Sequence, residues 1–362
     1  MAKILILANN DVGLYRFRRE LIEQLVKDYE VYISLPYGDL VPNLEDLGCK
    51  FINTDISRRG TNPLTDLKLF MTYKNIIKNI RPDVVLTYTI KPNVYGGLAS
   101  RISSVPYITN ITGLGTAVEN ESILQKVTLF LYKNALRKAK CVFFQNEDNL
   151  KFFIERNVVG GKYRLIPGSG VNLQQYKMLD YPDGNNINFL FVARVMKEKG
   201  IDQFLEAAEY IRKKHSNTRF HVLGFCEENY GKKLEELQKK NIIKYHGMQS
   251  DVKKFHAFSH CTIHPTYYPE GMSNVLLESA SCGRPIITTN RSGCREIVEE
   301  GVNGYVVNQK DTKDLIIAIE KFLSLDYNLK RNMGIQGRKK IEKEFDRNIV
   351  VNAYLEEVKE SV

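Results

Sequence analysis

Residues 3–35 read KILILANNDVGLYRFRRELIEQLVKDYEVYISL, with two apolar runs on either side of a longer amphipathic segment. Residues 4–8 and 30–35 have the length and composition of buried strands, and residues 15–26 place apolar side chains at helical spacing. A strand, a helix and a second strand in this order predict a βαβ unit. The sheet of such a unit is parallel and has helices on both faces.

The same alternation continues along the chain and divides into two series. Periodicity is lost around residues 167–184, and YPDGNN at residues 181–186 is a strong turn signal. A second series begins with the apolar run FLFVA at residues 189–193. We therefore predict an α/β protein with two doubly wound, Rossmann-like domains that face each other across a cleft. The predicted segments are a first domain (1–170), a second domain (171–345) and a C-terminal helix that packs back on the first (346–362).

Composition places the chain among soluble globular proteins, with 43% hydrophobic and 26% charged residues in 362. The N-terminal apolar run is too short for a signal peptide, and no stretch approaches the roughly 20 apolar residues of a membrane span. Six cysteines without CxxC spacing predict reduced thiols, hence a cytoplasmic protein. His256, His260 and Cys261 could form part of a metal site, but no carboxylate or second pair accompanies them, so we predict no metal.

The net charge of +10 is concentrated in the first half, where residues 1–170 contain 23 basic against 16 acidic side chains. An excess of this kind indicates an anionic partner. No nucleic-acid motif lies among the basic residues, so we predict no nucleic-acid partner. An anionic membrane surface is the other candidate.

Residues 269–279, PEGMSNVLLES, place two carboxylates around one predicted helix start. Ser273 or Asn274 can act as N-cap, which leaves backbone N–H groups and a positive dipole end that attract a phosphate. Glu278 then lies about 6–8 Å along the helix, and Glu270 stays in the loop before it. That separation matches the reach of a nucleotide sugar. The alternative is a solvated Glu on an ordinary amphipathic helix.

Basic residues follow the first strand of the second series. Arg194 and Lys199 lie beyond its carboxyl end, where ligands bind in open parallel sheets, and can hold a diphosphate. A solvated basic turn is the alternative. No GxGxxG follows any strand, which argues against a nicotinamide dehydrogenase. Near the first strand, Gly13 either lets the backbone approach a ligand or serves only the tight turn.

These features, taken with further motifs, resemble one known family. The further motifs are GCREIV at 293–298, GVNG at 301–304, Lys91-Pro92, ITGLG at 111–115 and IPGSGV at 166–171. Over nearly its whole length the chain resembles the family-4 retaining glycosyltransferases of the GT-B fold. Within that family it is similar to bacterial enzymes of capsule, O-antigen and lipid-linked oligosaccharide assembly.

The resemblance implies roles for the matching residues. Arg194 and Lys199 would neutralise the donor diphosphate, Glu278 would bind the ribose and Glu270 would face the donor sugar. The remaining donor-binding positions that it implies are Gly271, Met272, Ser273 and Asn274 at the helix start and Gly247 and Met248 near the base. Many family members have a His where this chain has Thr112, so the role of that imidazole is not transferred; Thr112 can still hydrogen-bond the sugar.

The implied reaction transfers a hexose or N-acetylhexosamine from a UDP-sugar to an undecaprenyl-diphosphate-linked saccharide, with no cofactor. No Asp-x-Asp lies in a suitable loop, and basic groups can stabilise the leaving diphosphate without a divalent metal. Retention is compatible with same-face attack or with a covalent intermediate on Glu270. A nucleotide-sugar epimerase or hydrolase of the same fold, or a non-catalytic binding module, is the alternative.

A basic amphipathic helix is predicted at residues 122–140, with an apolar side formed by Ile123, Leu124, Val127, Phe130, Leu131 and Leu136. Its cations include Lys126, Lys133 and Arg137, and further basic clusters are Arg16, Arg18 and Arg19 and the pair Arg58 and Arg59. A core-packed helix with a solvated face is the ordinary alternative. We predict peripheral binding to the inner face of the cell membrane, with Lys91 meeting the acceptor diphosphate.

Overall fold

The computed structural model describes residues 1–57, 60, 62–114 and 122–362. Within them the chain divides into two compact units. The first unit comprises Met1–Ser169 together with Asn348–Val362, and the second unit comprises Gly170–Arg347.

The first unit contains a seven-stranded parallel sheet of order β3-β2-β1-β4-β5-β6-β7. Its strands are β1 (Lys3–Leu7), β2 (Glu30–Leu35), β3 (Lys50–Asn53), β4 (Val84–Tyr88), β5 (Tyr107–Ile111), β6 (Cys141–Phe144) and β7 (Tyr163–Leu165). Its helices up to residue 169 are α1 (Asp11–Asp28), α2 (Val41–Asp46), α3 (Pro63–Ile80), α4 (Gly97–Ile102), α5 (Ile123–Leu136) and α6 (Glu147–Glu155). A π-helical turn, Pro92–Gly96, leads into α4.

Helix α1 begins earlier than its apolar periodicity indicates. The Asn10 side chain accepts a hydrogen bond from the N–H of Gly13 at 2.6 Å and caps the helix. The first turn therefore starts directly after β1, ahead of the amphipathic stretch at residues 15–26 from which the helix was predicted. Leu14, Leu21 and Leu25 then pack against the sheet.

The second unit contains a six-stranded parallel sheet of order β10-β9-β8-β11-β12-β13. Its strands are β8 (Ile187–Val192), β9 (Thr218–Leu223), β10 (Ile243–Tyr245), β11 (Cys261–His264), β12 (Ile286–Thr289) and β13 (Gly304–Val307). Its helices are α7 (Ile201–Lys214), α8 (Gly231–Lys239), α9 (Lys253–Phe258), α10 (Asn274–Ser281), α11 (Thr312–Ser324) and α12 (Tyr327–Glu344). The predicted α/β class with two doubly wound parallel sheets is confirmed.

In each sheet the order of winding reverses at one position. That position lies between β1 and β4 in the first unit and between β8 and β11 in the second. Strands on the two sides of a reversal send their following loops in opposite directions, which leaves a crevice at the carboxyl ends. The loops after β8 and β11 therefore form the natural binding position of the second unit.

The last helix, α13 (Arg347–Lys359), belongs to the first unit from Asn348 onward. Val350, Tyr354 and Val358 belong to the same hydrophobic core as Ile4 and Ile6 of β1. The Tyr354 ring centroid lies 4.4 Å from that of Phe143, and the Tyr354 hydroxyl accepts a hydrogen bond from Asn110 Nδ2 at 2.5 Å. The first unit thus obtains part of its core from the end of the chain.

No helix in the described part of the chain is long and apolar enough to cross a membrane. The six cysteines are free thiols, five of them buried and Cys226 exposed. Burial raises the pKa of Cys49, Cys141 and Cys282 to about 12, so these thiols are protonated at neutral pH.

We expect the change Tyr354→Ala to lower the free energy of unfolding of the first unit by about 3–5 kcal/mol, the range for truncating a buried aromatic ring. Urea unfolding followed by circular dichroism measures this change. Tyr210→Ala is the control, because that ring is half exposed on a helix surface of the second unit. A loss no larger than that of the control would contradict the role of Tyr354 in the core.

Candidate functional site

The loop after β8 brings a lysine against the neighbouring strand end. It forms a 3-10 turn, Lys197–Lys199, and Gly200 then takes a φ of 76° and starts α7. A side chain at Gly200 would collide with the carbonyl oxygen of Pro265, which follows β11. Only glycine therefore lets the start of α7 lie this close to the β11 loop.

Lys199 forms an ion pair with Glu270, and both side chains are largely buried. Burial favours the neutral acid at Glu270, but Lys199, His264 and Arg194 together outweigh it and the pKa of Glu270 is lowered. Glu270 is therefore an anion at neutral pH. This pair joins the loops of the two strands that flank the reversal in the second sheet.

Arg194 adds a second cation beside the pair. Its guanidinium donates to Glu227 Oε2 at 2.5 Å, and its central carbon lies 5.3 Å from the centroid of the Tyr268 ring. Lys199 Nζ approaches the same ring at 4.6 Å. Both cations thus lie within cation–π distance of the Tyr268 ring. Neither Tyr268 nor Glu227 was predicted from the sequence, although the Tyr267-Tyr268 pair directly before Pro269 was a visible signal.

Helix α10 starts as predicted, with Ser273 as N-cap. Gly271, Met272 and Ser273 are buried, whereas Asn274 and Glu278 are both half-buried. Since Glu278 follows Asn274 by four residues, the two side chains lie one turn apart on the same helix face. Within the described residues Asn274 Oδ1 has no hydrogen-bond partner, so this face offers an acceptor as well as a carboxylate.

The GCREIV motif packs against the backbone of the loop that carries Glu270. Gly293 accepts the N–H of Ser273 at 2.7 Å and has a φ of 85°. A Cβ at Gly293 would lie 2.5 Å from the carbonyl oxygen of Gly271. Glu296 fixes the turn by accepting the N–H of Gly293 at 2.7 Å. Gly293 is therefore required for the backbone that presents Glu270.

One further buried group, which was not predicted, lies beside Glu270. His264 ends β11, is 2% exposed, and has its Nε2 at 4.0 Å from Glu270 Oε1. Burial, and then the charge of Lys199, lower the pKa of His264 to about 4, so the imidazole is neutral at pH 7.

Gly247 and Met248, predicted near a base, lie at the carboxyl end of β10, next to the loop that follows β9. The carbonyl of Gly247 accepts the N–H of Gly224 at 2.9 Å, which ties the two loops together. Met248 is 71% exposed beside this contact. His246 and His221 pair at 3.0 Å between Nε2 and Nδ1, and burial is the main cause that lowers the pKa of both.

In the first unit, three residues that were predicted to bind donor or acceptor lie shortly after the carboxyl ends of strands. Gly13 is in the first turn of α1, where its N–H is bound by the cap, and Thr112 follows β5 directly. Lys91 Nζ is paired with Asp66 at 2.6 Å, and the Tyr95 hydroxyl donates to the same carboxylate at 2.8 Å. Any acceptor phosphate at Lys91 would have to compete with Asp66.

Helix α5 carries apolar side chains outward in its first half, whereas Leu131, expected on the same side, is half-buried against the core. Gln125, Thr128 and Tyr132 are buried, whereas a set of exposed apolar residues, here named the α5 stripe, faces solvent. The stripe consists of Ile123, Leu124, Val127 and Phe130. Leu136 was expected on this side, but it is buried at the helix end because it packs into the core with Tyr132. Lys126, Lys133 and Arg137 are exposed.

The arginines of the other predicted basic clusters are found in different environments. Arg16 is exposed, and Arg19 pairs with Glu23 at 2.7 Å. Arg18 was expected on the basic surface, but it is buried with its guanidinium 5.0 Å from the Tyr88 ring centroid, so it stabilises the core. Arg58 and Arg59, like Gly115 of the ITGLG motif, lie outside the described residues.

The second unit thus places two cations, a helix start and two carboxylates around one strand-order reversal. Cations and backbone N–H groups suit a diphosphate, and carboxylates suit the hydroxyl pairs of a sugar or ribose. Among the described residues, no three His, Cys, Asp or Glu side chains are grouped to hold a metal ion.

Two family models match the chain. Residues 3–146 match the model described as "Glycosyl transferase 4-like", and residues 181–340 match the model described as "Glycosyl transferases group 1". Together they cover most of both units, and they agree with the family that the motifs indicated.

Named relatives are similar along most of their length. The chain is 27% identical to the N,N'-diacetylbacillosaminyl-diphospho-undecaprenol alpha-1,3-N-acetylgalactosaminyltransferase of Campylobacter jejuni, with 96% of each chain covered. It is 26% identical to the UDP-Gal:alpha-D-GlcNAc-diphosphoundecaprenol alpha-1,3-galactosyltransferase of Escherichia coli, with 78% of this chain and 76% of the relative covered.

Solved structures share the fold. A glycosyltransferase from Rickettsia africae superposes with a TM-score of 0.82 at 20% identity, covering 99% of this chain and 98% of the other. Anabaena HepE, solved with UDP and glucose, gives 0.79 at 18% identity over 100% of both chains. The chain therefore belongs to the glycosyltransferases of the GT-B fold, with a glycosyl transferase 4-like first half and a group 1 second half.

Proposed function

We propose that this glycosyltransferase is a retaining enzyme that moves a hexose or N-acetylhexosamine from a UDP-sugar to an undecaprenyl-diphosphate-linked saccharide in bacterial surface glycan assembly. The observation that carries the proposal is the cluster of Arg194, Lys199 and Glu270 at the reversal of the second sheet, next to the start of α10. The Campylobacter and E. coli relatives support the acceptor class, because the name of each enzyme includes an undecaprenol-linked diphospho-sugar.

The proposal gives the donor a defined orientation on the second unit. In the proposal Arg194 and Lys199 hold the diphosphate, and the start of α10 with Gly271, Met272 and Ser273 binds its distal phosphate. Glu278, one turn into α10, accepts hydrogen bonds from the ribose hydroxyls. The loops of Gly224 and Gly247 would hold the base, with Met248 beside it.

Bond cleavage places negative charge on the leaving UDP, and the same groups stabilise that charge. Arg194 and Lys199 are preorganised by Glu227, Glu270 and the Tyr268 ring, so little reorganisation is needed as the charge grows. We propose that these cations replace a divalent metal in the chemical step.

Retention requires the acceptor hydroxyl to attack from the side of the leaving group, or Glu270 to form a covalent intermediate. The ion pair with Lys199 keeps Glu270 ionised, which suits hydrogen bonding to sugar hydroxyls and is also compatible with nucleophilic attack. The proposal assigns Glu270 to the donor sugar in either case.

A lipid-linked acceptor has its reactive end at a membrane surface. The α5 stripe, with Lys126, Lys133 and Arg137 around it, has the apolar and cationic composition that binds anionic lipid headgroups. We propose that the first unit docks peripherally on the inner leaflet through this helix, with Arg16 as a further contact. Lys91 would exchange Asp66 for the acceptor diphosphate.

We expect Lys199→Ala to lower kcat by about 10²–10³-fold, because it removes a preorganised charge from the leaving group. Glu278→Ala should raise the Kd for UDP by about 10-fold or more through loss of hydrogen bonds to a charged group. Mass spectrometry of transfer from a panel of UDP- and GDP-sugars to short polyprenyl-diphosphate saccharides measures the change in kcat. Calorimetry with UDP measures the change in Kd.

The matched controls are Lys213→Ala and Glu209→Ala, an exposed pair on α7 with 3.4 Å between Nζ and Oε1. Both should retain wild-type transfer. Normal rates in Lys199→Ala and normal UDP affinity in Glu278→Ala would refute the site assignment. EDTA should leave the wild-type rate unchanged, and a loss that magnesium restores would contradict metal-free transfer.

We expect the wild-type protein to float with phosphatidylglycerol-containing liposomes at low salt and to bind them several-fold less at high salt. The double change Ile123→Glu/Phe130→Glu should abolish this binding, because it places carboxylates in the α5 stripe. The control Ile317→Glu alters a side chain that is 64% exposed on α11 of the second unit and should bind normally. Binding that is absent, or equal in all three proteins, would contradict membrane docking through α5.

A further inference from the structure

His264 occupies an unusual environment at the carboxyl end of β11. Two residues earlier on the same strand face, Thr262 Oγ1 accepts the Ser279 hydroxyl of α10 at 2.6 Å, so His264 lies on the side of the sheet that α10 covers. Its ring is 2% exposed, and neither ring nitrogen has a hydrogen-bond partner within the described residues. Buried polar atoms without a partner are uncommon and call for an explanation.

Glu270 is a potential hydrogen-bond partner for the buried His264 ring. The distance of 4.0 Å between His264 Nε2 and Glu270 Oε1 is too long for a hydrogen bond, but a small turn of the carboxylate would close it. The same oxygen is taken by the ammonium of Lys199. The imidazole therefore stands next to an acceptor that is already occupied.

The protonation state of His264 allows its ring to donate a hydrogen bond to the Glu270 carboxylate. Because burial and the charge of Lys199 keep His264 neutral at pH 7, the ring carries a single N–H, and its other nitrogen has no donor in the described chain to fix the tautomer. The N–H can therefore reside on Nε2, which faces Glu270.

We propose that His264 is a positioning residue for Glu270 that takes over from Lys199 when the donor binds. The diphosphate draws the Lys199 ammonium away, and His264 Nε2–H then donates to Glu270 Oε1 and keeps the carboxylate directed at the donor sugar. The inference rests on the proposed function, since it requires Glu270 to face the sugar and Lys199 to face the diphosphate.

Binding of UDP alone and turnover of the UDP-sugar separate this role from a structural one. UDP carries the diphosphate but leaves the sugar position to water, and water can solvate the Glu270 carboxylate when Lys199 turns away, so the Kd of UDP should stay within about 2-fold of wild type in His264→Leu. The kcat for transfer should fall by about 10- to 100-fold, the size expected for one hydrogen bond to a charged group. His264→Gln, which restores a donor, should recover most of the rate.

The chain supplies a matched control in His256 on α9. That ring is also fully buried, with both nitrogens lacking a partner in the described residues, and burial lowers its pKa to about 3. Arg284 lies beside it, and its Nε donates a hydrogen bond to the His256 carbonyl. His256→Leu should alter the thermal midpoint of unfolding at most, and leave kcat unchanged.

Three outcomes would overturn the inference. They are a wild-type kcat in His264→Leu, an equal loss of UDP affinity and turnover in that variant, and a kcat loss of the same size in His256→Leu. A wild-type protein that fails to use any UDP-sugar would instead contradict the proposed function, and the role of His264 would fall with it.

Discussion

The Lys199–Glu270 ion pair connects the two strand ends on which the second unit's site is built. Removing both charges from water is costly, and such a pair persists only where geometry and further contacts compensate. Here Gly200 permits the close approach of the two loops, Gly293 supports the Glu270 backbone, and the Tyr268 ring lies under the ammonium. The position of each group depends on the reversal of strand order between β8 and β11, which separates the loops enough to leave a crevice.

The cations of the proposed reaction share a common feature. Lys199, Arg194 and Lys91 each have a carboxylate partner, which is Glu270, Glu227 and Asp66 respectively. Such partners hold flexible side chains in place before a phosphate arrives, and so reduce the entropy lost on binding. They also compete with the phosphate. Affinity for an anionic ligand is then the difference between two charge-assisted interactions, which favours ready release of the product.

The fold was predictable because local patterns determine it. Apolar runs, turn signals and the N-cap position of Ser273 are visible in consecutive residues, and so is the pair of carboxylates around that helix start. Partners that are distant in the sequence were not predictable. Glu227 and Asp66 could be recognised as partners of Arg194 and Lys91 only from the structure, where the two sheets bring their strand ends together. Arg18 was misassigned to the surface because its burial depends on Tyr88 and Tyr354, and Leu136 because its contacts lie on other elements. His264 was passed over since a strand-terminal histidine has no distinctive spacing.

The membership of α13 in the first unit bears on how the protein is made. The second unit is one continuous segment, whereas the first contains residues from both ends of the chain. During synthesis from the N-terminus, residues 1–169 leave the ribosome with a core that still lacks Val350, Tyr354 and Val358. The second unit can therefore complete its fold before the first, even though its sequence is translated later. An early stop codon that removes only the last helix would leave the second unit intact, whereas the first would keep its strands but lack part of its core.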